Sequence, residues 1–393
     1  MGQRPELAID LYSDEAIRDP HPLYRAIRDC APAVWLPAHE VWAIGRYDDV
    51  RAALRADSVL VSGRGVALND LVNGQPAVTT LTSDGDVHRR RRAVVIRPML
   101  PSALADVRAT IEQLATEVVA DLVARDAFDG VADFARHLPV AVVSHLVGLP
   151  EAGRERMLDW AKATFDVLGP WNDRAQAAVG PFLEMTKYAT NLARDALLPG
   201  GFAARMFAAA EAGELAAEDV RGLLIDYIAP SLDTTILGTG SLLYLLGRHP
   251  EQYDRVRSEP EAIPAAVHEA LRYESPVRAF TRHAAEEYDA GGIPIPKGDR
   301  VLILYGAANR DERRYPDPDR FDVTRDARDH VAFGYGVHRC AGGFLAQLEM
   351  ESLLRALVAR VRRIDVGEPT WLASNVLRGY ASFPAAFHAE QRA

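Results

Sequence analysis

The sequence predicts a mainly α protein with a smaller β region. Residues 87–248 are dominated by Ala, Leu, Arg and Glu, which favour helices, with breaks at Pro98/Pro101, Gly148/Pro150, Gly169/Pro170 and Pro199-Gly200-Gly201. Strand-like segments lie near both ends. No internal repeat or low-complexity linker divides the chain. Residues 1–393 therefore read as one domain, α-rich over about 87–273 and 341–361, and β-rich over about 33–45, 275–338 and the C-terminal region.

The elements follow in order. Residues 22–30 form a short helix. Ala33-Val34-Trp35-Leu36 and Val41-Trp42-Ala43-Ile44 make a hairpin joined by Pro37-Ala38-His39-Glu40. A helix covers 47–55, and 62–82 is loop, rich in Gly, Asn and Thr. A long helix over about 218–248 would span ~45 Å at 1.5 Å per residue. A further helix follows Pro264 as far as Tyr273. Ile293-Pro294-Ile295 and Val301-Leu302-Ile303-Leu304 are strands, and a last helix runs over about 341–361.

Composition excludes several classes. Hydrophobic residues are 48% and charged residues 25%, which rules out a mainly disordered chain. The net charge of −10 argues against nucleic-acid binding. The most apolar stretch, 223–246, is interrupted by Asp226, Pro230, Asp233, Thr234 and Thr235, so it reads as a buried helix and not a membrane span. The first residues lack the apolar core of a signal peptide. A cytoplasmic location without membrane attachment is expected. Two cysteines, Cys30 and Cys340, cannot build a disulfide scaffold, a Cys-rich zinc site or a four-Cys iron–sulfur cluster. A cysteine that matters works alone.

Cys340 lies in Phe333-Gly334-Tyr335-Gly336-Val337-His338-Arg339-Cys340-Ala341-Gly342. Two glycines permit a tight turn, and the cysteine falls at the start of an apolar helix, where a thiolate is favoured. A lone thiolate in such a loop suits an axial haem ligand. A dinucleotide loop fits worse, because the third glycine is absent at Arg339 and no βαβ pattern follows. A Cys340–His338 hydrolase pair is poorly placed two residues apart.

The segment resembles the haem-binding loop of the cytochrome P450 family, Phe-Gly-x-Gly-x-His-x-Cys-x-Gly, with every fixed position filled. The resemblance implies the cytochrome P450 fold, thiolate-ligated haem b on Cys340, with Phe333 and Gly334 in its loop, and oxygen insertion from O2. Other matches are spread along the chain. Glu269-Ala270-Leu271-Arg272 corresponds to the family's Glu-x-x-Arg pair, and Tyr315-Pro316-Asp317-Pro318-Asp319-Arg320-Phe321 to its meander, which implies a structural network of Glu269, Arg272 and Arg320. His88 and Arg92, with Arg282 and His338, match the propionate contacts, and an Arg/His cluster is the right chemistry for two carboxylates. Arg89, Arg90 and Arg91 read as a surface patch for an acidic electron donor. Asp233-Thr234 matches the acid–alcohol pair that delivers protons during oxygen activation. Where the family usually carries a small pair, this chain has Pro230 and Ser231. Pro230 removes an amide and imposes a kink, and Ser231 offers a second hydroxyl.

Within the family, the stretches 62–66, 165–170 and 274–277 resemble the bacterial branch that oxidises para-substituted benzoates, notably by O-demethylation. That branch clasps the substrate carboxylate with Arg and Ser. The corresponding positions here are Gln75, Val78, Ile225 and Asp226, with no cation, so a neutral substrate is expected: a burial of unpaired charge costs several kcal/mol. Leu81, Phe165, Leu168, Val277 and Phe280 would supply apolar walls around it, beside Pro230. The expected reaction is O-demethylation of a small aryl ether of the guaiacol or syringol type, with electrons from a ferredoxin and its reductase. Hydroxylation of a small terpenoid or alkyl-aromatic, a peroxygenase reaction and a non-enzymatic haem sensor are the alternatives.

Overall fold

The computed structural model describes residues 4–389. Helices outweigh strands, 52% against 12%. The predicted hairpin forms from Val34–Leu36 and Val41–Ile44, paired antiparallel. Its second strand then pairs parallel with Arg300–Leu304, in the register Trp42 to Val301. Arg300–Leu304 pairs antiparallel with Ala279–Ala284, and Leu60–Val61 closes the far edge of this five-stranded sheet. Distant parts of the chain therefore build the β region, as the two-ended strand pattern predicts. A second sheet joins Pro384–Ala389 to Val361–Val366 and Phe128–Asp129. Among the described residues no helix is long and apolar enough to cross a membrane.

The helical body packs the helix Gly343–Arg360 along Pro101–Val123, and Asp233–Arg248 against Ile263–Tyr273. Its core collects Leu122, Phe134, Leu242, Leu246, Val267 and Leu353, all nearly inaccessible to solvent. The short helices and strands predicted at 22–30, 47–55, 293–295 and 301–304 fall within a residue or two of their observed ends. The 62–82 loop contains one extra helical turn, Asp70–Asn73, capped by the Asn69 side chain, which accepts from the Val72 amide.

The expected long helix over 218–248 is not continuous. It forms as Asp219–Leu223, Ile225–Ile228 and Asp233–Arg248. Pro230 brings no amide to the helix ladder and its ring crowds the preceding turn. Two hydroxyls take up carbonyls four residues back: Ser231 Oγ donates to the Tyr227 oxygen at 2.6 Å, and Thr234 Oγ1 to the Pro230 oxygen at 3.0 Å. Asp233 and Thr234 thus open the first turn of a new helix instead of sitting in the middle of an old one.

The buried ion network also differs in one member. Glu269 and Arg272 are fully buried and joined by two hydrogen bonds, 2.7 and 2.8 Å, the bidentate geometry that a guanidinium favours. Arg272 also donates to the Asn309 and Pro318 carbonyls. The third member is Arg325, not Arg320: Arg325 Nε lies 3.3 Å from Glu269 Oε1. The meander folds back through a turn in which the Arg325 amide donates to the Asp322 carbonyl. That turn carries the Arg325 guanidinium under the helix and onto the Pro316 and Asp317 carbonyls. Arg320 offers only its backbone oxygen to Arg272 and Arg325. Its side chain is 65% exposed and faces Asp322 at 3.8 Å.

Candidate active site

The Cys340 loop turns as its glycines require. Gly334 and Gly336 adopt φ of +68° and +71°, and a Cβ on Gly336 would lie 2.7 Å from the Leu54 carbonyl oxygen. The Cys340 amide donates to the Phe333 oxygen at 2.7 Å, which closes the loop. The helix Gly343–Arg360 begins immediately after it, so the amides of Gly342 and Gly343 reach the sulfur. Cys340 is accessible to solvent, yet protein surrounds it closely enough that desolvation raises its thiol pKa; the two amides, Arg92 and Arg339 work in the opposite direction. Cys30, also accessible, ends the helix His21–Cys30.

Four basic side chains gather around the same loop. His88 and His338 face each other with ring centroids 4.2 Å apart. His88 comes from the helix Gly85–Ile96, and Arg92 stands one turn further on, donating to the Arg339 carbonyl. Arg282, on the sheet strand Ala279–Ala284, is 4% exposed and donates to the Thr281 oxygen. Burial pulls both histidine pKa values down. His338 falls to about 3, with Arg282, His88 and Arg92 adding their repulsion. The acid in reach, Asp84, stands 4.0 Å from His338 Nε2 and already accepts the Ser62 and Gly63 amides. His88 Nε2 is buried without a hydrogen-bond partner. One sulfur supported by amides, and beside it two arginines and two histidines with an orphaned ring nitrogen, is the donor set that a thiolate-ligated haem with two propionates needs.

On the other side of the kink, Asp233 is pushed up to about 7 by burial, with Arg136 and Lys162 pulling it back. Asp226 is likewise raised, to about 6, chiefly by burial. Its carboxylate accepts the Thr80 amide at 2.9 Å and so ties the 74–82 loop to the kinked helix.

Four of the predicted wall residues meet. Leu168, Val277 and Phe280 pack on a cluster containing Phe165, joined by Leu237, Leu372, Val376 and Leu377. Phe165 and Phe280 are stacked, centroids 6.5 Å apart. The rest do not join them. Gln75 is exposed and donates to the Leu71 oxygen. Val78 packs where a Gly222 Cβ would lie, 2.6 Å away. Leu81 is half-buried outside the cluster. Arg91 departs from its predicted surface role: it is buried, pairs with Asp219 at 2.7 Å and donates to the Ala77 and Thr79 carbonyls. The helix turn that exposes Arg89 and Arg90 necessarily points Arg91 inward. Sequence reasoning missed Leu237 and the loop 372–377, because that loop reaches the cluster from the far end of the chain. A separate surface cleft of about 780 Å³, between Arg18, Arg248, Trp371 and Arg378, shares none of these residues.

Fold and site together define a haem-thiolate protein. Residues 200–363 match the Cytochrome P450 family profile. The chain is 35% identical to Cytochrome p450 CYP199A2 of Rhodopseudomonas palustris, over 97% of this chain and 94% of that one. It is 33% identical to 6-deoxyerythronolide B hydroxylase of Saccharopolyspora erythraea, covering 95% and 98%. The solved structure of CYP109Q5 from Chondromyces apiculatus superposes with a TM-score of 0.81 at 26% identity, covering 98% and 99%. The chain belongs to the cytochrome P450 family. It is a monooxygenase with thiolate-ligated protoporphyrin IX, acting on its substrate with O2 and an external redox partner.

Proposed function

We propose that this P450 O-demethylates a compact neutral aryl ether of the guaiacol or syringol type. The observation that carries the reading is Asp226. At the positions that would clasp a benzoate carboxylate, the chain offers Gln75, Val78, Ile225 and Asp226, and the one ionisable group among them is a half-buried acid. The nearby cation Arg91 is committed to Asp219 and two carbonyls. A carboxylate would enter uncompensated, whereas a phenol hydroxyl suits an acceptor whose pKa is about 6. The stacked Phe165 and Phe280 offer flat apolar walls for a single ring.

Cys340 would hold the haem, with His88, Arg92, Arg282 and His338 holding its carboxylates, and the group would supply O2 activation and insertion of one oxygen atom, at a cost of two electrons and two protons, with the second oxygen leaving as water. Asp233, near pH 7, can hold or release a proton at its carboxyl, and the Thr234 hydroxyl, now donating to the Pro230 carbonyl, can pass one on. Hydroxylation of the methoxy carbon gives a hemiacetal that collapses to a phenol and formaldehyde. A ferredoxin, served by its reductase, delivers electrons at the face carrying Arg339, Arg89 and Arg90, and raised salt weakens that docking. Titration of the holoprotein with guaiacol, syringol and 4-methoxybenzoate, read by haem spin state, tests the reading. The phenols should bind at least ~10-fold more tightly, about 1.4 kcal/mol. Tight benzoate binding with no response to the phenols refutes it.

A further inference from the structure

Phe165 and Leu168, two of the wall residues, flank a side chain that the chemistry above does not use. Asp166 is 1% exposed. Its Oδ1 accepts the Ser374 hydroxyl at 2.6 Å and the Asn375 amide at 2.9 Å, and its Oδ2 accepts Lys162 Nζ at 2.5 Å. Its backbone oxygen accepts Asn375 Nδ2 at 2.9 Å. Ser374 Oγ in turn accepts the Leu377 amide. One carboxylate therefore fastens the loop that brings Val376 and Leu377 into the aromatic cluster.

The same segment is held from its other side. Asn69 Nδ2 donates to the Val167 and Gly169 carbonyls, 2.7 and 2.8 Å, and the Leu68 amide donates to the Leu168 oxygen at 2.8 Å. Asn69 also caps the helical turn that leads into the 74–82 loop. Gly169 lies so close to Asn375 that a Cβ there would come within 2.3 Å of the Asn375 Cβ. Three separate stretches of chain, 68–69, 165–169 and 374–377, are thus locked at one point beside the cluster.

We propose that Asp166 is a positioning residue: its carboxylate clasps these stretches together, so that a ligand carrying a six-membered aromatic ring reaches or leaves the pocket only when the Asp166–Ser374–Asn375 contacts open, whereas one as small as imidazole passes without it. The clasp then sets residence time and the size of ligand admitted. This rests on the reading that the Phe165–Phe280 cluster walls the substrate pocket. Asp166 touches no substrate in this arrangement and acts through the two loops.

The test uses the holoprotein and two iron-ligating probes that bind whatever the natural substrate is, imidazole and the bulkier 4-phenylimidazole. Asp166→Ala should raise both the association and the dissociation rate of 4-phenylimidazole about tenfold, on the scale of one buried charge-assisted hydrogen bond. Ser374→Ala should raise them about threefold. Imidazole rates should stay unchanged, and amide hydrogen exchange of 374–377 should accelerate. Unchanged 4-phenylimidazole rates in both variants, with the ferrous–CO spectrum of the parent, overturn the proposal. Equal acceleration of both probes overturns it too, because that signals general loosening. If Asp166→Ala fails to load haem, Ser374→Ala decides alone, and unchanged rates there overturn the clasp. If no methoxyphenol shifts the spin state while the 4-phenylimidazole rates rise as stated, the aryl-ether reading falls and the clasp stands.

Discussion

Replacing Arg325 with Ala removes a guanidinium that is 13% exposed and lies 3.3 Å from a carboxylate with no exposure at all. The substitution also frees the Pro316 and Asp317 carbonyls, which Arg325 bonds at 2.8 and 3.2 Å. Glu269 keeps both bonds from Arg272, so it is not left wholly unpaired, and the cost falls short of the 3–5 kcal/mol of a fully broken buried pair. One weakened, partly buried charge contact and two exposed carbonyls that water can solvate come to about 1–2 kcal/mol. Arg320→Ala is the control: a pair 3.8 Å long on a side chain 65% exposed contributes between zero and about 0.5 kcal/mol. Urea unfolding of both variants, fitted with a common slope, reads the difference as a shift in midpoint. Equal midpoint shifts, or a larger one for Arg320→Ala, would refute the assignment of Arg325 to the network.

Thr234→Ala should lower the fraction of NADH electrons recovered in product, the rest leaving as peroxide, while substrate binding holds; unchanged coupling would move the proton-delivering role to Ser231. Glu349 gives a pH prediction. It is fully buried, both its oxygens lack a hydrogen-bond partner, and burial pushes its pKa up to about 8. A carboxyl held protonated in the fold while the unfolded chain ionises makes stability fall as pH rises. The slope is about 1.4 kcal/mol per pH unit for each group, from its ordinary value up to its folded one. Asp226 and Asp233, raised to about 6 and about 7, act in the same direction over narrower windows. Below about pH 6.5 the buried histidines act in the opposite direction, His338 and His330 being lowered to about 3, so the net decline should run from about pH 6.5 to about pH 8, and Glu349→Gln should flatten it and exceed the parent at pH 8. A parent-like pH profile in Glu349→Gln would count against it.

The local parts of the site were legible and the long-range parts were not. The Cys340 turn is written in ten consecutive residues, because its glycines, its closing hydrogen bond and the helix that follows are all near neighbours. The Glu269–Arg272 pair needs only a helix to form. By contrast, choosing between Arg320 and Arg325 depends on how the meander doubles back, which hydrophobic periodicity does not encode. Asp166 and Ser374 lie 208 residues apart, and neither has a sequence signal that points to the other. Pro230 announced a kink. It did not reveal that the helix would stop for several residues, since Ser231 and Thr234 stabilise the gap with their own hydroxyls. Arg91 was misread because a run of four arginines looks like a solvated face until Asp219 is brought alongside.

The parallel pairing of Val41–Ile44 with Arg300–Leu304 also governs how the chain is born. At the pace of a ribosome, the partner strand emerges about 260 residues after the hairpin, a delay of roughly 13–50 s. Through that interval the hairpin presents an unsatisfied strand edge to its surroundings. Completion of the sheet, and with it the placement of Arg282, is therefore a late event, so haem has to find a chain whose first strands have long been waiting for their neighbour.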